Sequence, residues 1–260
     1  MRSAASAGFV MASFRIAPAS AARSTGGAPD DAGVCYSWRT LRRALALLVL
    51  IVAAGCVSAG SSRDVLREIV LECLDPAEPR YCARCRWPQA GTCDLEYPCA
   101  RTTEVWAQTQ EYVAIRDIKM CGCPAGFVHG LAMPRYPVSG VEDWRRPDGI
   151  WRFGWEAARS RIRDEVEIAL VVNPPALRTQ DQLHLHLVRL LPNARPRVDA
   201  LKPARADRLE EVWLVAGRHA SGRGLNAYGI IVILAPDGGW LVAADAKSPE
   251  SEYTAGRCGS

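Results

Sequence analysis

The sequence predicts an α+β domain, an antiparallel sheet with a helix packed against it. Three stretches carry that expectation. Polar and apolar residues alternate from Gln182 to Leu187, the period-2 signature of a half-buried strand. Asp237-Gly238-Gly239 separates two apolar runs, 227–234 and 240–243, and so marks a hairpin. From Gly149 to about Glu165, Trp151, Phe153, Trp155, Ala158 and Ile162 recur near helical spacing.

A chain of 260 residues has room for one large domain or two small ones. A formal net charge of +4 is mild: it suits an anionic phospholipid surface or substrate and gives no argument for nucleic acid. Ten cysteines are many for a cytosolic enzyme. Eight of them, at 73, 82, 85, 93, 99, 121, 123 and 258, follow the apolar segment described next. An even number there favours disulfides in an oxidising compartment. There is no internal repeat.

Residues 1–43 are Ala/Ser/Gly-rich and end in Arg39-Thr40-Leu41-Arg42-Arg43; they are expected to be a disordered basic leader. Residues 44–60 follow as a signal or membrane anchor, with a small-residue cleavage site at Val57-Ser58-Ala59 and a weak lipoprotein box at Ala53-Ala54-Gly55-Cys56. The apolar run is short for a span, which needs about 20 residues. A leader of this length implies an uncleaved anchor or a true start further in. Residues 61–260 are expected to form the catalytic domain, with a cysteine-rich N-terminal part and a C-terminal hairpin.

Within it, residues 61–75 read as a short amphipathic helix. Residues 76–100 are rich in Cys and Pro. Cys82-Ala83-Arg84-Cys85 with Cys93 and Cys99 is a zinc-knuckle candidate, but 93 to 99 is too wide for a second tight pair, and disulfides are preferred. Residues 111–118 read as a strand and Cys121-Gly122-Cys123-Pro124 as a turn whose two cysteines pair elsewhere. Residues 126–133 form a second strand, in which His129 reads as a lone strand histidine. A Pro/Gly/Trp loop, 134–149, leads to the Trp-rich helix, whose aromatic residues pack in the core. Residues 166–173 are a strand ended by Asn173-Pro174-Pro175. Beyond Pro192 the chain reads as basic surface to about 207. Residues 209–216 are expected to be a strand and His219 to sit in a solvated turn. Cys258 is expected to tie the tail to the cysteine-rich N-terminal part.

The stretch from 182 to 188 carries the candidate chemistry. On a strand, Gln182, His184, His186 and Val188 share one face, and Leu183, Leu185 and Leu187 the other. Two of the chain's four histidines are therefore neighbours. One imidazole can attack while the other donates a proton or hydrogen bond. From the residues alone, three readings stand: catalysis, a metal site lacking an obvious third ligand, or two structural histidines. Arg178, Thr179 and Gln180, in the preceding loop, are candidates for a phosphate cradle, the alternative being a solvated hairpin loop.

Gln182-Leu183-His184-Leu185-His186-Leu187-Val188 resembles the histidine-triad motif, with glutamine in place of its first histidine. The string from Asn173 to Gln182, and Ala132-Met133-Pro134-Arg135-Tyr136 upstream, resemble the CDP-diacylglycerol pyrophosphatase branch, over about residues 64–258. The resemblance implies a histidine-triad-like sheet and hydrolysis of CDP-diacylglycerol to CMP and phosphatidate. It implies His184 as nucleophile, His186 as donor to the phosphate, and Asn173, Thr179 and Gln180 as positioning groups. No metal or cofactor is required, because histidine supplies the nucleophile. Cys73 and Cys99 sit where that family tends to carry cysteines and are expected to pair. The implied location is the inner membrane, held by one N-terminal anchor, with the domain on the periplasmic or extracytoplasmic side. Gln182 can exchange hydrogen bonds but cannot titrate, and it is expected to touch substrate. Two alternatives remain: a nucleotidyltransferase passing CMP to another acceptor, and a secreted cysteine-rich binding module whose histidines are structural.

Overall fold

The computed structural model describes residues 63–74, 89–90 and 102–258. The leader, the apolar segment 44–60, Cys99 and nearly all of 76–100 lie outside the described residues.

Eight strands form the expected antiparallel sheet. They are β1 (Val105–Gln108), β2 (Tyr112–Arg116), β3 (His129–Pro134), β4 (Ile168–Val172), β5 (Leu185–Arg189), β6 (Ala204–Ala206), β7 (Gly229–Leu234) and β8 (Trp240–Asp245). Their order across the sheet is β1-β2-β3-β5-β4-β7-β8-β6. Every neighbouring pair is antiparallel. β5 is therefore central, with His186 opposite Leu131 of β3 and Val171 of β4. The Asp237-Gly238-Gly239 turn joins β7 to β8 with Gly238 and Gly239 both at positive φ, which glycine adopts at little cost.

Helices cover both faces of the sheet. On the first face lie α2 (Ile150–Arg159) and α4 (Val212–Gly222). Trp151, Trp155 and Trp213 pack there over Leu185, Leu187, Leu170 and Val232. Each large side chain so buried contributes about 1.5–3 kcal/mol. α2 lies close to the sheet because Gly154 faces it: a Cβ there would stand 3.3 Å from a Leu187 methyl. The Trp-rich segment is thus core, as the sequence predicts.

The second face carries two separate apolar patches. α1 (Val65–Glu68, continuing as a π-helical turn through Cys73) lays Leu66, Ile69 and Val70 on Val113, Ile115, Leu131 and Met133. Further along, α3 (Arg195–Ala200) and α5 (Pro249–Tyr253) cover Ala169, Val171, Val188, Ile231 and Ile233. β5 contributes Val188 to the second patch, while His184 and His186 lie on this same face between the two patches.

Three expectations are corrected. Residues 209–216 form no strand. Val212, Trp213, Ala216 and Ala220 are the buried positions of α4, with Leu214 left 56% exposed. A short apolar run fits either period, and the spacing to Ala216 and Ala220 decides for the helix. His219 lies in the last turn of that helix, not in a solvated turn. Its Nδ1 accepts the Ala244 N–H at 3.0 Å and its Nε2 faces the Leu201 and Lys202 carbonyls at 3.1 Å. Finally, β5 begins only at Leu185. Leu183 N–H bonds the Val138 carbonyl at 2.6 Å, drawing this stretch toward the 134–138 segment.

Candidate active site

His184 immediately precedes β5 and lies 7% exposed. Its Nδ1 is 2.7 Å from the carbonyl oxygen of Gln182. A carbonyl only accepts, so Nδ1 carries the hydrogen and Nε2 of the neutral ring holds the lone pair. Burial pushes the His184 pKa below its ordinary value, with the Gln182 hydrogen bond opposing, so the neutral form is favoured.

His186 packs edge-on against His184, ring centroids 4.8 Å apart, and against His129 on its other side at 5.2 Å. His186 Nδ1 and His129 Nε2 share a hydrogen bond of 3.0 Å. His186 Nε2 lies 3.3 Å from both Asn173 Nδ2 and Glu250 Oε2. Burial drives the His186 pKa well down, and His184, His129 and Lys119 drive it further. His186 is therefore a neutral donor or acceptor, and among the nearby cations Lys119 pairs its Nζ with Glu250 Oε1 at 2.5 Å.

Glu250 enters from α5. Ser248 caps that helix and Pro249 occupies its first turn, a helix start that directs Glu250 inward. Asn173, just past β4, donates to Glu250 Oε2 at 2.7 Å and accepts from Ser248 Oγ at 2.8 Å. Burial opposes the Glu250 charge, but Lys119, His129 and Asn173 outweigh it and hold the carboxyl below its usual pKa. His129, also pushed down by burial, has Asp117 Oδ2 at 3.4 Å.

Among the described residues, Asp117, His129 and His186 form a set of donors within 4.8 Å of one another. Two imidazoles and a carboxylate are a zinc-type set; it shares only His186 with the His184–His186 pair read from the sequence. In this geometry the two ring nitrogens face each other and hydrogen-bond.

The histidines open on a cavity of about 410 Å³, also lined by Asp117, Lys119, Thr179 and Gln180. The structure thus brings together His184, His186, Asn173, Thr179 and Gln180 of the predicted residues. Gln180 also accepts from Leu66 N–H at 3.0 Å and so anchors the start of α1. Two predicted substrate contacts lie outside that cavity but beside His184. Arg178 pairs with Glu142 at 2.6 Å and Asp181 at 3.3 Å and lines a small cleft shared with Asn173, Gln182 and His184. Gln182 is wholly buried and donates to the Pro134 and Tyr136 carbonyls, 3.0 Å each; it clamps the end of β3.

His129 is no lone strand histidine, since it sits against His186. Sequence reasoning also missed Asp117, Lys119 and Glu250. Asp117 and Lys119 lie just past the end of β2, and Glu250 lies 64 positions beyond His186 in the chain. Only Ser248-Pro249-Glu250, legible as a helix start, hinted at it. The tail is fixed by a Cys123–Cys258 disulfide, so Cys258 reaches the Cys121–Cys123 turn and not the cysteine-rich stretch before it. Cys73 is buried in the α1 patch; its expected partner Cys99 lies outside the described residues.

Residues 83–227 match the family described as CDP-diacylglycerol pyrophosphatase. The match spans more than half of the 260-residue chain. The chain belongs to the CDP-diacylglycerol pyrophosphatase family. It is a hydrolase of that family, with CDP-diacylglycerol as the implied substrate. The match includes Asp117, Lys119, His129, Asn173, His184 and His186, and ends before Glu250. Among the described residues no helix is long and apolar enough to cross a membrane.

Proposed function

We propose that the chain hydrolyses CDP-diacylglycerol in two steps through a nucleotidyl-histidine, in the manner of the histidine-triad enzymes. His184 Nε2 attacks the phosphorus next to cytidine. The bond from that phosphorus to the bridging oxygen breaks, and phosphatidate leaves with the electron pair. Water then attacks the same phosphorus, the N–P bond breaks, and CMP is released with the water's oxygen. The observation that carries this reading is the Nδ1–H···O=C bond of His184 to Gln182, which leaves the lone pair on Nε2 of a buried, neutral ring lining the cavity.

The surrounding groups divide the remaining work. Lys119 would offset charge developing on the phosphoryl oxygens, and the Thr179 hydroxyl on the cavity lining would bind a phosphate oxygen, while Gln180 holds the start of α1 against the loop. His186 has both ring nitrogens engaged by His129, Asn173 and Glu250 and packs edge-on against His184, so it positions the nucleophile. Residues 44–60 would anchor the enzyme at the surface where its substrate's acyl chains are buried, with the domain on the extracytoplasmic side.

Isotopic water tests the bond that breaks. Hydrolysis in H₂¹⁸O is expected to place the label in CMP and none in phosphatidate. Label in phosphatidate would mean attack on the other phosphorus and would sink the nucleotidyl intermediate. Adding an alcohol acceptor separates hydrolase from transferase: a cytidylyl ester formed at the expense of CMP would favour the latter.

A further inference from the structure

The cavity beside the histidines has two unlike walls. One carries His184, His186, Thr179 and four charged side chains, Arg116, Asp117, Lys119 and Arg257. The other is aliphatic: Leu66 and Ile69 from α1, Ile115 from β2 and Leu131 from β3, with Ile118 at 56% exposure on the lining. Among the described residues no Phe, Tyr or Trp lines this cavity; the rings on it are the imidazoles of His184 and His186. The Gln180 amide, the side chain suited to reading a base edge, is engaged by Leu66 N–H and the Thr179 carbonyl. Hydrocarbon is what the second wall is built to take.

A volume of about 410 Å³ accommodates a glycerol and the roots of its chains but not two whole acyl chains, whose distal parts remain in the bilayer.

We infer that the wall of Leu66, Ile69, Ile115 and Leu131 is the subsite for the diacylglycerol end of the substrate. The diphosphate lies across His184 and Lys119, and the cytidine points away from α1. This assignment rests on the hydrolase reading above and adds an orientation to it.

Two soluble substrates test the inference on the full chain: CDP-glycerol and CDP-dihexanoylglycerol, both monomeric in detergent-free buffer. The readout is the ratio of their kcat/KM values on one preparation, which does not depend on the folded fraction. The wild type is expected to prefer the acylated substrate by at least about tenfold. Leu66→Asn and Leu131→Asn should each reduce that preference several-fold. A wild-type ratio near one overturns the inference, whether or not either variant folds. A high ratio that both active variants retain also overturns it. CMP release from neither substrate overturns the hydrolase reading itself, and this inference with it.

Discussion

At the scale of single residues, the site depends on which atom holds which proton. His184 has its tautomer fixed by an acceptor-only partner and its charge removed by burial. Its depressed pKa predicts that the acid limb of kcat/KM falls below the ordinary histidine value of about 6.5. Glu250 touches His186 and Asn173 and is assigned a positioning role. Glu250→Gln is expected to lower kcat by about tenfold to a hundredfold. It should also move the acid limb to lower pH, because the lost carboxylate favours the protonated form of His184. A fall in rate with no movement of the limb would reduce Glu250 to packing.

At the scale of elements, two clamps hold the site together. Gln182 ties the approach to β5 onto the end of β3 through two carbonyls. Gln182→Leu would leave both carbonyls without the amide, costing about 1–3 kcal/mol of stability. Thermal unfolding checks this, and an unchanged midpoint with a raised KM would restore Gln182 as a substrate contact. The Cys123–Cys258 bond closes a sequence separation of 135 residues and holds the tail that carries Glu250 and Arg257 to the turn beyond Lys119. Cys258→Ser is expected to cost about 2–5 kcal/mol and to lower activity. Full activity and an unchanged midpoint would show the tail needs no clamp. Six of the eight strands and the His-x-His face were legible because each depends on local periodicity; β1 and β6 were not, β6 being three residues long in a stretch that reads as basic surface. α4 was misread because Val212-Trp213-Leu214-Val215 fits both periods. His129 and Glu250 were not legible because strand pairing and a distant short helix, not spacing along the chain, bring them to His186.

At the scale of the whole molecule, the sheet divides its labour between faces. One face is closed by α2 and α4 over a tryptophan-rich core. The other is covered in two patches, and the gap between them holds three histidines, His129, His184 and His186, all with lowered pKa values. In the unfolded chain each regains a pKa near 6.5 and binds protons that the folded chain refuses. Stability is therefore expected to be flat above about pH 7 and to fall as pH drops through 6.5 toward 5. The midpoint of thermal unfolding against pH reads this directly, and a midpoint that holds between pH 7 and 5 would contradict the buried-neutral assignment. The central claim remains the covalent step at His184. The measurement that reaches it most directly is the intact mass of the protein, quenched in alkali during turnover of CDP-diacylglycerol with chelator present. The account predicts a cytidylyl adduct on the wild type, with neither adduct nor CMP release from His184→Ala. CMP release by His184→Ala at the wild-type rate would contradict it.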